Sequence, residues 1–126
     1  MKICITSEGK SLDSKVDSRF GRCQYFIIAD TETLEFEAVE NPNIESMGGA
    51  GIQSAQLVAS KKVKAVLTGN VGPNAFQTLQ AAGVDIFTEA SGSVKDAIVK
   101  YKKGGFEAVK NPSVGSKFGM PGKKGG

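Results

Sequence analysis

The sequence predicts a single α/β domain built on a mixed five-stranded sheet, and three observations predict it. β-rich runs crowd the chain up to residue 40, and helical periodicities alternate with apolar runs from there to residue 103. A 21-residue echo, in which Gly51, Val58, Val63 and Ala65 reappear as Gly72, Leu79, Val84 and Ile86, marks two similar helix–strand units.

Residues 2–6, Lys-Ile-Cys-Ile-Thr, read as a strand beginning at once. A polar, Gly-containing loop follows over residues 7–23. Residues 24–30 are nearly all apolar, as in a strand covered on both faces. After a Thr31-Glu32-Thr33 turn, residues 34–40 alternate and read as an edge strand with Glu35 and Glu37 facing water. Gly48-Gly49-Ala50-Gly51 opens a helix running to about Ser60, with Ile52, Ala55, Val58 and Ala59 inward. Residues 63–67 form a strand. Gly72-Pro73 starts the next helix, with Pro at the first position where its missing N–H costs nothing. Phe76, Leu79 and Ala82 are its apolar stripe, and Gly83 ends it. Residues 84–87 are the last strand. Ser93 caps a third helix with Asp96 placed for a capping box, Val94, Ala97, Ile98 and Tyr101 give its inner face, and Gly104 stops it.

Helix–strand units of this kind demand right-handed crossovers and parallel strands. The order β-β-β-α-β-α-β-α therefore reads as a sheet in spatial order 3-2-1-4-5, with only strand 2 antiparallel and three helices covering it. The domain is expected to span 1–103. Residues 104–126 hold seven Gly and two Pro without periodicity and read as a flexible tail, with a short extended piece at 106–109.

Composition bounds the function. The 126-residue chain is 40% hydrophobic and 23% charged, which suits an ordinary globular domain. No run approaches a membrane span, and the N-terminus lacks a signal peptide's apolar core, so a cytoplasmic setting with reduced thiols and no membrane partner is expected. Residues 1–103 carry 12 basic and 12 acidic side chains, and the net +3 comes from the tail. A neutral body argues against a nucleic-acid partner. The absence of His removes the usual general base and every imidazole-dependent triad.

Because strand 2 alone runs backward, the loops after strands 1, 3, 4 and 5 (residues 7–23, 41–51, 68–72 and 88–92) open on one rim. Ligands of open α/β sheets bind at that rim, beside the switch point between strands 1 and 4. Ser18-Arg19-Phe20-Gly21-Arg22-Cys23 lies there, with two guanidinium groups and a thiol around a glycine. Arg supplies permanent charge and a donor fork, and a Cys beside positive charge is biased toward thiolate. Cys23 is thus the candidate metal ligand, while Cys4, between Ile3 and Ile5, reads as a buried small hydrophobe. One cysteine cannot hold an ordinary iron–sulfur cluster, so any cluster would arrive already built. Gly49 and Gly51 precede a helix whose N–H groups suit an anion. Neither the dinucleotide spacing nor a P-loop Lys is present. Asn70 and Asn74, around Gly72, serve equally well to hydrogen-bond a ligand or to tie their own loop.

With Ser18-Arg19-Phe20-Gly21-Arg22, Gly49-Ala50-Gly51-Ile52-Gln53 and Thr68-Gly69-Asn70-Val71-Gly72-Pro73-Asn74-Ala75-Phe76 in order, the chain resembles the dinitrogenase iron–molybdenum cofactor biosynthesis family over residues 1–103. The resemblance implies a ribonuclease-H-like fold and a non-catalytic binder or carrier of anionic iron–sulfur or molybdenum-containing clusters. Cluster donor and acceptor proteins are the implied partners. Carried over by position, the cluster-binding residues are Arg19, Phe20, Gly21, Arg22, Gly49, Gly51, Asn70, Gly72 and Asn74. The chain departs from relatives that use a His, and it has Cys23 where relatives often have a small residue. The alternative is an enzyme or regulator that binds a phosphorylated or anionic metabolite at the same rim. A nuclease is set aside because the central strands lack the metal-binding carboxylates such enzymes need.

Overall fold

Five strands and three helices follow one another as β1 (Lys2–Ser7), β2 (Tyr25–Asp30), β3 (Phe36–Glu40), α1 (Ala50–Ser60), β4 (Ala65–Leu67), α2 (Pro73–Ala81), β5 (Asp85–Phe87) and α3 (Val94–Lys102). The structure, a computed structural model, describes residues 1–42 and 49–112. The sheet order is β3-β2-β1-β4-β5, as expected. β1 pairs antiparallel with β2, Cys4 opposite Ile28, and parallel with β4, Cys4 opposite Val66. β2 pairs antiparallel with β3, and β4 parallel with β5.

Side-chain alternation along β1 divides the core into two layers. Cys4 joins Phe26, Ile28, Val66 and Ile86 beneath Ala55 and Val58 of α1 and Ala75, Phe76 and Leu79 of α2. Ile3 and Ile5 join Ile27, Ala29, Leu67 and Phe87 beneath Val94, Ala97 and Ile98 of α3. Only one helix covers the second face, and Leu12 and Val16 from the first loop complete it.

Local chemistry moved some boundaries. The expected edge strand starts at Phe36 rather than Leu34. Asp30 Oδ1 accepts from Glu32 N (2.7 Å) and Thr33 N (3.1 Å), and this Asx turn leads Leu34 into a left-handed conformation with φ 63°. Phe36 is 42% exposed, because its edge of the sheet is on the face with a single helix. Val63 and Val84 are buried lead-ins to β4 and β5 rather than strand residues.

Packing also continues past the expected domain end at residue 103. Val109 N donates to Ile86 O (2.8 Å), so the segment after α3 lies along the outer edge of β5. Phe106 packs against Phe87 (ring centroids 6.1 Å apart), and Lys100 Nζ sits 4.5 Å from the Phe106 ring centroid. The extended piece expected at 106–109 is therefore a strap that covers a sheet edge. The rest of the expected tail, from residue 113, lies outside the described residues.

A chain ending at Lys103 is expected to melt below one ending at Asn111. Phe106 and Val109 are each half-buried against the core. Losing them is worth about 1–2 kcal/mol, or about 4 °C per kcal/mol in a domain of this size. Equal melting temperatures in calorimetry would show that the strap adds nothing to stability.

Candidate functional site

The loop between β1 and β2 is stitched to its neighbours by backbone hydrogen bonds. Val16 N donates to Gly92 O (2.9 Å), Asp17 N to Thr6 O (3.0 Å) and Phe20 N to Asn70 O (3.2 Å), and Asn70 N donates back to Ser18 O (2.8 Å). Residues 14–20 thus bridge the loops after β4 and β5, as the convergence on one rim requires. A Cβ on Gly69 would fall 2.6 Å from Ser18 Cα, so only glycine permits this approach. The hydroxyls of Thr6 and Thr68 share a 2.8 Å hydrogen bond underneath, and Thr6 Oγ1 also donates to Asp17 O (2.6 Å).

Past Phe20 the chain turns. Arg22 N donates to Arg19 O (3.2 Å), and Gly21 has φ 95°. A Cβ at Gly21 would lie 3.2 Å from Gly51 Cα, which brings the turn against the first residues of α1. Gly51 in turn sits where a Cβ would touch that of Ala75, at 3.4 Å, so it also sets the α1–α2 approach. Asn41 pins the far side of the turn. Its Nδ2 donates to Gly21 O (3.1 Å) and Cys23 O (2.9 Å), and the residue is buried.

The two arginines are both exposed but differently placed. Arg19 pairs with Asp17, whose Oδ1 accepts from Arg19 N (3.0 Å) and Nε (3.3 Å) and whose Oδ2 accepts from Nη2 (3.4 Å). The Asp17 side chain is 3% exposed and that of Arg19 63%. The hydrogen bond and the charge of Asp17 hold Arg19 firmly in its charged form. Phe20, carried over as a binding residue, is a core residue whose ring lies tilted against that of Phe26, centroids 5.7 Å apart. Asn70 and Asn74 are exposed on the rim, with Gly72 half-buried between them.

Cys23 requires a correction. It is fully buried in the core layer with Cys4, not exposed among the arginines. Burial first, and the negative charge of Asp17 second, push its thiol up to about 12, against a weaker downward pull from backbone N–H groups. The expected thiolate bias is reversed, because the neighbouring guanidinium groups face solvent while the sulfur faces the core. Cys4 is a buried hydrophobe as expected, its thiol raised by burial and then by Cys23. Among the described residues no group of three or more His, Cys, Asp or Glu could hold a metal ion.

Helix ends supply the other donors. α1 begins at Gly49, left-handed at φ 73°, and α2 at Gly72 with Pro73 inside; neither has a side-chain cap or an acidic residue in its first turn. α3 contrasts with both. Ser93 Oγ accepts from Asp96 N (3.0 Å) and Asp96 Oδ2 from Ser93 N (3.3 Å), closing that end with a carboxylate. Two helix N-termini without a side-chain cap among the described residues therefore flank the Arg19–Arg22 turn. Gly48 and the rest of 43–48 lie outside the described residues. Sequence reasoning missed Asp17 and Asn41. Asp17, two residues before Arg19, carried the Asx-turn spacing, whereas nothing local marked Asn41.

The chain matches the family model described as dinitrogenase iron-molybdenum cofactor over residues 1–104. It is 38% identical to the apo form of the orange protein from Desulfovibrio gigas, covering 88% of this chain and 94% of that one, with a TM-score of 0.85. A Thermotoga protein with a provisional NifB designation is 42% identical over 85% of this chain and 91% of its own, with a TM-score of 0.74. An uncharacterised protein of Methanocaldococcus jannaschii is 31% identical over 85% of this chain and 90% of its own length.

Asn41→Ala is expected to cost about 1–3 kcal/mol in urea denaturation, since two buried carbonyls lose their donor. A cost below about 0.5 kcal/mol would mean the turn holds without its pin. The raised Cys23 thiol gives a pH dependence of definite sign. Unfolded chains lose this proton near 9.0 and folded ones near 12, so between those values the unfolded state binds fewer protons. Stability should be complete below 9.0 and fall as pH rises toward 12. The fall should be shallower in Cys23→Ala, and an unchanged slope would contradict the burial argument.

Proposed function

The chain belongs to the dinitrogenase iron-molybdenum cofactor family, and from that membership and the rim geometry we propose that it is a non-catalytic binder or carrier of an anionic iron–sulfur or molybdenum-containing metal–sulfur cluster or precursor. The observation that supports this reading is the placement of the Arg19–Arg22 turn between two helix N-termini that no side chain closes among the described residues. Backbone N–H groups and guanidinium forks suit an anion with many weakly basic acceptors. Arg19, Arg22, Asn70 and Asn74 are the side chains that would face it, with Gly49 and Gly72 leaving room at the helix starts. Phe20, Gly21 and Gly51 shape the site from beneath. Cys23 is left as a structural thiol, and the cluster is held without it.

Anaerobic incubation with iron and sulfide, or with molybdate and sulfide, should yield a visible absorption band that stays with the protein through gel filtration. Arg22→Ala should weaken retention about tenfold to a hundredfold, the worth of one charge-assisted contact, while the protein stays folded. Arg19 is not the residue replaced, because removing it would strand the buried Asp17 carboxylate. Cys23→Ser should keep the band; its loss would mean that the thiol ligates after all. Wild-type protein that retains no chromophore but binds inorganic phosphate would favour the metabolite alternative.

A further inference from the structure

Asp17 has no place in the reading above, yet among the described residues it is the most enclosed charge on the rim. Its side chain is 3% exposed, and the hydrogen bonds that reach it come from the backbone N, Nε and Nη2 of Arg19. A carboxylate so far from water requires its partner, so the pair is a standing feature of the fold. The charge of Glu8 also reaches Arg19. Pairing along the Nε–Nη2 edge leaves the other N–H groups of a guanidinium available. Arg19 is 63% exposed, so those donors face solvent. The rim thus presents a donor fork whose net charge has been cancelled from below.

We propose that Asp17 is the specificity-determining residue of this rim, cancelling the charge of Arg19 while keeping its donors, so that large charge-diffuse sulfidic anions are taken in preference to compact oxyanions. The proposal rests on the anion-binding reading above and adds its selectivity. Extracting a compact oxyanion from water costs most, because the desolvation penalty rises as the ion shrinks, and net positive charge must offset it. A sulfidic anion spreads the same charge over larger, softer atoms and loses less hydration. A rim on which the charge of Arg19 is cancelled while its donors remain therefore favours the second over the first.

Tetrathiomolybdate, molybdate and inorganic phosphate serve as probes in equilibrium dialysis, the first two being tetrahedral dianions that differ mainly in size and charge density. The wild-type chain should hold tetrathiomolybdate at least about a hundredfold tighter than either oxyanion. Asp17→Asn retains an oxygen acceptor for Arg19 N but removes the charge. It should bind both oxyanions about tenfold tighter, as expected for one unmasked charge near a surface, and so narrow the ratio. A wild-type ratio below about tenfold overturns the proposal, and that measurement stands even if Asp17→Asn fails to fold. A folded Asp17→Asn with the wild-type ratio overturns the role of Asp17 while leaving cluster binding intact. A wild type that takes up no sulfidic anion at all overturns the function proposed above and this selectivity with it.

Discussion

The rim depends on one close backbone approach, that of Ser18 to Gly69. Where a side chain at position 69 would collide with Ser18 Cα, two peptide hydrogen bonds join Ser18 and Phe20 to Asn70 instead. This contact turns a 17-residue connection between two strands into an ordered layer over the sheet's end. It extends the parallel relation of β1 and β4 beyond the strands themselves, since Arg19 and Asn70 form a further parallel bridge. Everything downstream inherits that position. The turn at Gly21 reaches α1 only because residues 18–20 are already fixed, and Asn41 can clasp Gly21 and Cys23 only once the turn is there.

The same arrangement explains why charge and thiol part company. Arg19 and Cys23 are four residues apart, but the turn at Gly21 reverses the chain between them. One side chain ends in solvent and the other in the layer beneath α1 and α2. Field alone would lower a thiol near two guanidinium groups. Desolvation dominates because Cys23 is wholly enclosed, and the negative charge of Asp17 adds in the same direction. Asp17 thereby acts on both neighbours, holding Arg19 charged and Cys23 neutral.

Much of the architecture was legible because it rests on period and punctuation. The alternation of Ile3, Cys4 and Ile5, the Gly72-Pro73 start and the Ser93–Asp96 box are local signals, and each appears where its chemistry demands. The reversed direction of β2 alone sufficed to gather the loops on one rim. What stayed illegible depends on approach between distant segments. Burial of Cys23 is decided by residues far along the chain, Asn41 hydrogen-bonds partners 20 and 18 residues away, and the strap's Val109 pairs with Ile86. Poor apolar content made residues 104–112 read as unanchored. Yet β5 is a short edge strand with exposed pairing groups, and one extended peptide with Phe106 is enough to cover it.

The three helix starts show how a shared scaffold separates support from function. α3 closes its own N-terminus with Ser93 and Asp96, and its loop is further tied down by Val94 N to Ser14 O and Lys95 N to Leu12 O. That end has spent its donors on stability. α1 and α2 start at glycines with neither a side-chain cap nor an acidic residue in the first turn, and at the extended Gly72 a serine, aspartate or asparagine would add about a few tenths of a kcal/mol. Two adjacent helix starts without a side-chain cap among the described residues, both beside an arginine turn fixed by backbone bonds and a buried carboxylate, leave donors oriented in advance of any ligand. Such preorganisation lowers the entropic cost of capture. Under the proposed carrier role it would also let cargo leave, because affinity would then come from many modest donors rather than from a covalent thiolate bond.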